Sequence, residues 1–70
     1  MPRMSTYRLK IKEIAIAKGF NQSSLSRASD VSFTTIRRIW RNEQYDIGMN
    51  TLSKIARALG VSITDLVSED

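Results

Sequence analysis

The stretch QSSLSRASDVSFTTIRRI, from Gln22 to Ile39, decides the fold of this 70-residue chain. It contains two short runs with the apolar spacing of a helix, and Asp30 separates them. Isolated helices below about 12–15 residues hardly form in water, so tertiary packing must hold both runs. Two helices joined by about three or four residues cross at a large angle. The stretch therefore predicts a helix-turn-helix.

The ends of both helices carry recognisable signals. Asn21 is a suitable N-cap for the first helix, which is predicted to bury mainly Leu25 and Ala28. Asp30 tolerates the left-handed backbone of a turn better than most residues do. Ser32 is the predicted N-cap of the second helix. The apolar stripe of the second helix is formed by Ile36, Ile39 and Trp40.

Three more helices are predicted around this pair. The apolar residues follow helical spacing throughout, and no run alternates with the period of a β-strand. One lies in RLKIKEIAIAKG, where Leu9 and Ile16 form a second apolar stripe that either packs on the last helix or faces a partner. Another lies in NTLSKIARALG, with Asn50 as its N-cap. The last opens with SITD, a capping-box pattern that pairs Ser62 with Asp65. The predicted fold is a compact all-α domain of five short helices.

The composition excludes several kinds of site. The chain has no cysteine and no histidine, so it lacks disulfides, the usual zinc ligands, thiol nucleophiles and imidazole bases. Its carboxylates show no paired spacing, and we expect no metal, no cofactor and no enzymatic activity. No stretch approaches the roughly 20 apolar residues of a membrane helix, and MPRMST has no apolar core of a signal peptide. A cytoplasmic protein with no membrane partner and no evident small-molecule ligand is predicted.

Charge is unevenly distributed along the chain. The net charge is +4, but all eleven Lys and Arg lie at or before Arg57, together with only four carboxylates. That part therefore carries +7, whereas the remainder carries three acidic residues. A basic body indicates an anionic partner such as a nucleic acid, although ordinary solubility is an alternative explanation of the charge alone.

Several residues carry a family resemblance. They are Lys18, Gly19, Gln22, Leu25, Val31, Ser32, Thr35, Ile36, Arg38 and Ile39, followed by LSKIARALGVSITDL over residues 52–66. With these residues the chain from 9 to 67 resembles the Cro/lambda-repressor-like (XRE-type) helix-turn-helix domains of bacterial and phage regulators. The resemblance implies a five-helix lambda-repressor-like domain over 8–67, with its helix-turn-helix at about 22–41. It also implies a short N-terminal arm over 1–7 and an acidic end over 68–70.

The chain departs from the family pattern at several positions. Ser26 and Asp30 stand where the family usually has alanine and glycine, and both replacements are small or tolerant of a turn. Trp40 and Ala15 stand where glutamate and arginine are frequent, which removes a common buried ion pair. Phe33 stands at a usually polar position, which changes the expected base preference but not the expected groove.

The resemblance also implies how the domain meets DNA. The second helix of the motif lies in the major groove, which shows a distinct edge for every base pair, and base edges face Phe33, Thr34 and Arg37. A ring or a threonine methyl can contact the thymine methyl group, and arginine can pair bidentately with guanine. Two alternatives stay open, since Phe33 can pack at the helix start and Arg37 can be a solvated surface residue. We assign Thr35 to the helix start.

Phosphate contacts are expected on both sides of these residues, because such contacts position a protein without reading sequence. At the start of the first motif helix, free N–H groups and the helix dipole favour an anion beside Gln22 and Ser23. The second group lies at the end of the other motif helix and in the loop that follows, and consists of Arg38, Arg41, Asn42 and Gln44.

The predicted function is sequence-specific transcriptional regulation through double-stranded DNA, with repression as the predicted mode. A single small module buries only about 600–1,000 Å² on DNA, so a homodimer is expected, with Ile63, Leu66 and Val67 as its candidate contacts. The alternative is an antitoxin or a protein-binding adaptor with the same fold. That alternative would favour a longer arm or tail than MPRMST and VSED supply.

Overall fold

The computed structural model describes residues 7–69, so residues 1–6 of the predicted arm and residue 70 lie outside the described part. The described chain forms two short strands, four α-helices and one 3₁₀ turn. In chain order these are β1 (Tyr7–Leu9), α1 (Ile11–Ala17), α2 (Gln22–Ser29), α3 (Phe33–Arg41), α4 (Met49–Leu59), the 3₁₀ turn (Ile63–Leu66) and β2 (Val67–Glu69).

A single apolar cluster joins these elements. α2 packs against α3 and α4, and α1 packs against the same two helices. α4 contributes four buried residues at the spacing i, i+3, i+4 and i+7, which places them on one face of a helix. α3 buries Ile36 and Ile39 in the same cluster, so one of its faces lies on the core and the opposite face lies in solvent. The fully buried large side chains are Ile11, Leu25, Ile36, Ile55 and Leu66.

The predicted five-helix, all-α fold is wrong in two respects. The predicted fifth helix is a single 3₁₀ turn, and β1 and β2 form an antiparallel two-stranded sheet in which Tyr7 pairs with Glu69 and Leu9 with Val67. Strands of three residues are too short to show an alternating pattern, so the sequence did not indicate them. The sheet also places Tyr7, Ser68 and the backbone of Glu69 inside the domain, beyond the predicted limits of 8 and 67.

Two helix starts also differ from prediction. α1 begins at Ile11, because the residues before it belong to β1. Leu9 therefore does not share a helical stripe with Ile16: Leu9 is buried in the core, whereas Ile16 is 54% exposed. α4 has Gly48 as its N-cap, and Asn50 is the second residue of the helix.

Ser62 and Asp65 cap the 3₁₀ turn, as the SITD pattern predicts. The Ser62 N–H donates to the Asp65 carboxylate at 3.1 Å, and the Ser62 hydroxyl donates to the same oxygen at 3.0 Å. These two bonds, the backbone one first, hold the pKa of Asp65 below its ordinary value. Hydrogen bonds to the charged form favour ionisation, so the cap is stronger when Asp65 is a carboxylate.

Asp65→Asn should lower stability in a way that depends on pH. Because the pKa is lower in the folded state, the contribution of the charge is complete above the unfolded pKa and is lost as pH falls through the folded pKa. We expect the wild type to be more stable than the variant at neutral pH and the difference to shrink in acid. Urea denaturation followed by circular dichroism over this pH range measures it, and a difference that stays constant into strong acid would contradict it.

Candidate nucleic-acid interface

α2 and α3 form the predicted helix-turn-helix, with the break at Asp30. Asp30 adopts the left-handed conformation, at φ 60° and ψ 36°, and its N–H donates to the carbonyl oxygen of Ser26. The Val31 N–H donates to the same oxygen at 3.3 Å, and the Ser26 hydroxyl donates to the Val31 carbonyl oxygen at 2.6 Å. Ser26, where the family usually has alanine, thus supplies an additional bond across the turn.

The N-termini of both helices are capped as predicted. The Ser24 N–H donates to Asn21 Oδ1 at 2.8 Å, and the Asn21 N–H donates to Ser24 Oγ at 2.9 Å. At the start of α3, Ser32 Oγ accepts from the Thr35 N–H at 3.2 Å and donates to Thr35 Oγ1 at 2.9 Å. The assignment of Thr35 to the helix start is therefore confirmed.

The buried face of α2 differs from the prediction by one residue. Ala28 is exposed, and Ser29 is buried beside Leu25 instead. The Ser29 hydroxyl donates to the Leu25 carbonyl oxygen at 2.7 Å, which satisfies this buried polar group. Both positions lie close to the edge of the α2 face that contains Leu25, the face that packs against α3 and α4.

The outward face of α3 carries four of the residues predicted to meet DNA. Ile36 and Ile39 are buried, at 0% and 3% exposure, and successive residues of a helix turn by about 100°. The opposite face therefore holds residues at i, i+3, i+4 and i+7, all of them exposed. This face has one hydroxyl and three guanidinium groups and no acidic residue. Its members are Thr34, Arg37, Arg38 and Arg41.

The two aromatic residues of α3 lie at different depths. Phe33 is the first residue of the helix and is 46% exposed, so packing at the helix start covers only about half of its surface. Trp40 is half-buried against the core. It lines a cavity of about 290 Å³ with Leu9 of β1, Ile16 and two other residues of α1, and Glu43 of the following loop. Of the two rings, that of Phe33 is the one near the N-terminal turn of α3.

An arginine that the sequence did not indicate lies beside the predicted phosphate contacts at the start of α2. Gln22 is half-buried and Ser23 is exposed in the first turn of α2. Ser23 Oγ accepts a hydrogen bond of 2.8 Å from the guanidinium of Arg27, four residues later. Arg27 therefore brings a positive charge to the same turn. The spacing of four residues between a hydroxyl and an arginine on a helix was the available signal.

Two hydrogen bonds to Asn42 shape the loop after α3. Asn42 ends the helix, and its Oδ1 accepts the Gln44 N–H at 3.1 Å. The Asn42 carbonyl oxygen accepts the Tyr45 N–H at 3.1 Å. The amide NH₂ of Asn42 is a donor and is not engaged by these bonds. Arg41, Asn42 and Gln44 are all exposed, which keeps three predicted phosphate contacts on one segment.

β1 contacts this loop, which no sequence pattern indicated. The Leu9 N–H donates to the Glu43 carbonyl oxygen at 2.7 Å. The Tyr7 hydroxyl lies within hydrogen-bonding distance of the carbonyl oxygens of Gln44, at 2.9 Å, and Tyr45, at 2.8 Å. Tyr7 lies in the predicted N-terminal arm, so the sequence does not predict its link to a loop about 37 residues later.

The candidate dimer contacts differ in accessibility. Ile63 and Val67 are half-buried, whereas Leu66 is 0% exposed within its own domain. The side chain of Leu66 therefore belongs to the core, and only Ile63 and Val67 offer surface to a second chain.

The described part of the chain lacks two other classes of site. Residues 7–69 contain no group of three or more His, Cys, Asp or Glu side chains that could hold a metal ion. None of the helices in this range has the length and apolar character needed to cross a bilayer.

Comparison with known proteins supplies one finding. A family model described as a Cro/C1-type HTH DNA-binding domain matches residues 10–68. No curated protein and no solved structure matches the chain. The matched span contains α1 to α4 and the 3₁₀ turn, whereas β1 precedes it.

Substitution of Asp30 tests the turn of the motif. A left-handed backbone costs an L-residue roughly 1–2 kcal/mol, less for aspartate, and glycine avoids the cost. We expect Asp30→Gly to raise the free energy of unfolding by about 0.5–1 kcal/mol, because relief of strain is partly offset by the entropy of the unfolded chain. Asp30→Asn is the matched control, since it removes the charge at the helix C-terminus and keeps a side chain. Urea denaturation of the three proteins measures this, and a glycine variant less stable than wild type would contradict it.

Proposed function

The chain belongs to the Cro/C1-type helix-turn-helix DNA-binding domain family, and from that premise we propose that it is a sequence-specific regulator of transcription. In this proposal α3 lies in the major groove of double-stranded DNA. The observation that carries it is the outward face of α3, where exposed hydroxyl and guanidinium groups lie opposite the buried Ile36 and Ile39. A polyanion with hydrogen-bonding base edges is the ligand whose chemistry complements such a face.

We propose that Phe33, Thr34 and Arg37 read the bases. All three are exposed and lie in the first half of α3, the part that a recognition helix presents to base edges. Arg37 can donate two bonds to guanine, and the Phe33 ring and the Thr34 methyl can contact thymine. Each good bidentate pair contributes about 1–3 kcal/mol of discrimination between bases.

Phosphate contacts are proposed on both sides of α3. Gln22 and Ser23 would hold one stretch of backbone at the start of α2. The second stretch would meet the exposed group at the end of α3 and in its loop, where guanidinium and amide donors are available. A helix held at both sides enters the groove in one orientation, which is the role of contacts that carry no sequence information. The second group consists of Arg38, Arg41, Asn42 and Gln44.

The proposed mode of action is repression by a homodimer in the cytoplasm, through binding alone and without catalysis. Repression requires only that DNA is occupied, whereas activation also requires a second surface for the transcription machinery. Two copies are proposed because one module of this size buries little DNA surface. The half-buried Ile63 and Val67 support a contact near the C-terminal end of the domain.

Substitutions on two surfaces should separate sequence reading from phosphate binding. Arg37→Ala should reduce the gap in affinity between a selected duplex and a scrambled one, by the roughly 1–3 kcal/mol of a lost base contact. Asn42→Ala should weaken binding to both duplexes alike, because it removes a contact to the backbone. Duplexes are first selected from a random library, and affinities are then measured by fluorescence anisotropy across a salt series.

Lys54→Ala is the matched control for these variants. Lys54 is exposed on α4 beside Ala28 and Asp30, so the variant loses one positive charge away from α3. It should leave the gap between duplexes unchanged. A wild-type gap of about 10³ or more supports a specific regulator, whereas salt-sensitive binding without a gap would indicate an architectural role. No binding at low salt would favour a protein-binding adaptor instead.

The homodimer has its own test. Sedimentation equilibrium of the wild type should give a mass approaching twice the 8.0 kDa of the chain at high micromolar concentration. Val67→Asp should shift the mass towards the monomer, because a charge placed in an apolar contact is costly to bury. A monomeric wild type at these concentrations would contradict the proposal.

A further inference from the structure

β1 supplies the hydrogen bonds that attach the loop between α3 and α4 to the rest of the domain. Among the described residues, every hydrogen bond between residues 43–47 and another element comes from Tyr7, Arg8 or Leu9. The bonds that Asn42 accepts inside the loop shape it, but they do not fix it relative to the core. Tyr45 and Ile47 also pack against the apolar core, so the strand supplies the hydrogen-bonded part of the loop's attachment.

β1 is itself held on two sides. Leu9 is 4% exposed in the core, and the Lys10 N–H donates to the carbonyl oxygen of the fully buried Leu66 at 2.8 Å. Arg8 forms a hydrogen bond of 2.9 Å with Glu13 of α1 as well as its longer contact with the loop. The strand thus connects the apolar core and α1 to the loop.

We propose that Tyr7 is a positioning residue for DNA binding, which acts through the loop and does not touch the DNA. The inference rests on the proposed function, because the loop carries Asn42 and Gln44, two of the proposed phosphate contacts. The single hydroxyl hydrogen of Tyr7 is shared between the carbonyl oxygens of Gln44 and Tyr45, so its removal loosens two consecutive residues together.

Pre-positioning of the loop explains why such a bond affects affinity. A segment that is already fixed before binding loses less conformational freedom when it meets its partner. The amide donors of Asn42 and Gln44 then meet the phosphates without first being ordered. β1 precedes residues 10–68, the span that the family model matches, so this support lies outside the helix-turn-helix unit.

Tyr7→Phe removes the hydroxyl and leaves the ring in place. We expect DNA affinity to fall about 3- to 10-fold, the size expected for one net hydrogen bond. The ratio of affinities for the selected and scrambled duplexes should not change, because no base contact is lost. The slope of log K against log salt should also stay at its wild-type value, because the amides of Asn42 and Gln44 are neutral and release no counterions. Fluorescence anisotropy measures all three, and circular dichroism establishes that each protein is folded at the assay temperature.

A double-mutant cycle separates positioning from stability. If Tyr7 acts through the loop, the effects of Tyr7→Phe and Gln44→Ala on affinity will not add. Tyr7→Phe displaces the Gln44 side chain from its phosphate, and Gln44→Ala removes that same phosphate contact. Ser62→Ala is the matched control, since it removes a hydroxyl bond to Asp65 in the 3₁₀ turn and leaves the loop intact. It should lower stability slightly while affinity and salt slope stay at the wild-type values.

The outcomes distinguish this inference from the proposed function. Wild-type affinity in Tyr7→Phe, or full additivity with Gln44→Ala, would overturn the positioning role while the DNA-binding proposal stands. A wild type that binds neither duplex at low salt would overturn the proposed function, and this inference with it.

Discussion

Burial of one face of α3 is the constraint on which the rest of the structure depends. Ile36 and Ile39 lie in the same apolar cluster as Leu25 of α2 and Ile55 of α4. A helix of nine residues is unstable alone, so these contacts set its rotation about its own axis. Full burial of a large aliphatic side chain contributes about 1.5–3 kcal/mol, against about 1 kcal/mol for an N-cap. The apolar contacts, more than the caps, therefore decide which residues of α3 face outward.

Short polar residues determine where the helices begin and end. Asn21 and Ser32 each satisfy an N–H group in the first turn of a helix, and Ser26 closes the joint between the two helices. A core this small often supplies no more than about 3–5 kcal/mol, so caps worth about 1 kcal/mol each are a substantial part of the stability. The abundance of serine in this stretch follows from that need, and it also keeps the intrinsic helix propensity of α2 low.

Local signals predict the helix-turn-helix well, because caps and turns act between neighbouring residues. As the sequence predicts, Asn21 and Ser32 cap α2 and α3, and Asp30 forms the left-handed turn between them. The prediction that Ala28 is buried on α2 is wrong: Ser29 is buried instead, and both positions lie near the edge of the face that contains Leu25.

The strands and the loop attachment could not be predicted in this way. β1 and β2 pair residues from opposite ends of the described chain, and each is too short for a periodic pattern. Tyr7 reaches the α3–α4 loop across 37 residues of sequence. For the candidate site, spacing and resemblance name exposed residues on α3, but the support behind the loop comes from contacts that no local pattern encodes.

Of the three arginines of α3, Arg37 is the one that is unfavourable for the free domain. Arg37 and Arg41 are four residues apart, and like charges at this spacing destabilise a helix by about 0.2–0.5 kcal/mol. The dipole at the C-terminus of the helix favours Arg38 and Arg41, which lie in its last turn, by about 0.3–1 kcal/mol each, whereas Arg37 lies before that turn. Within residues 7–69 the ion pairs involve only Arg8, so the α3 arginines are not neutralised by the fold. A polyanion turns the same repulsion into attraction and releases its counterions. The contacts within the fold therefore give no reason for Arg37, whereas the proposed DNA contact does.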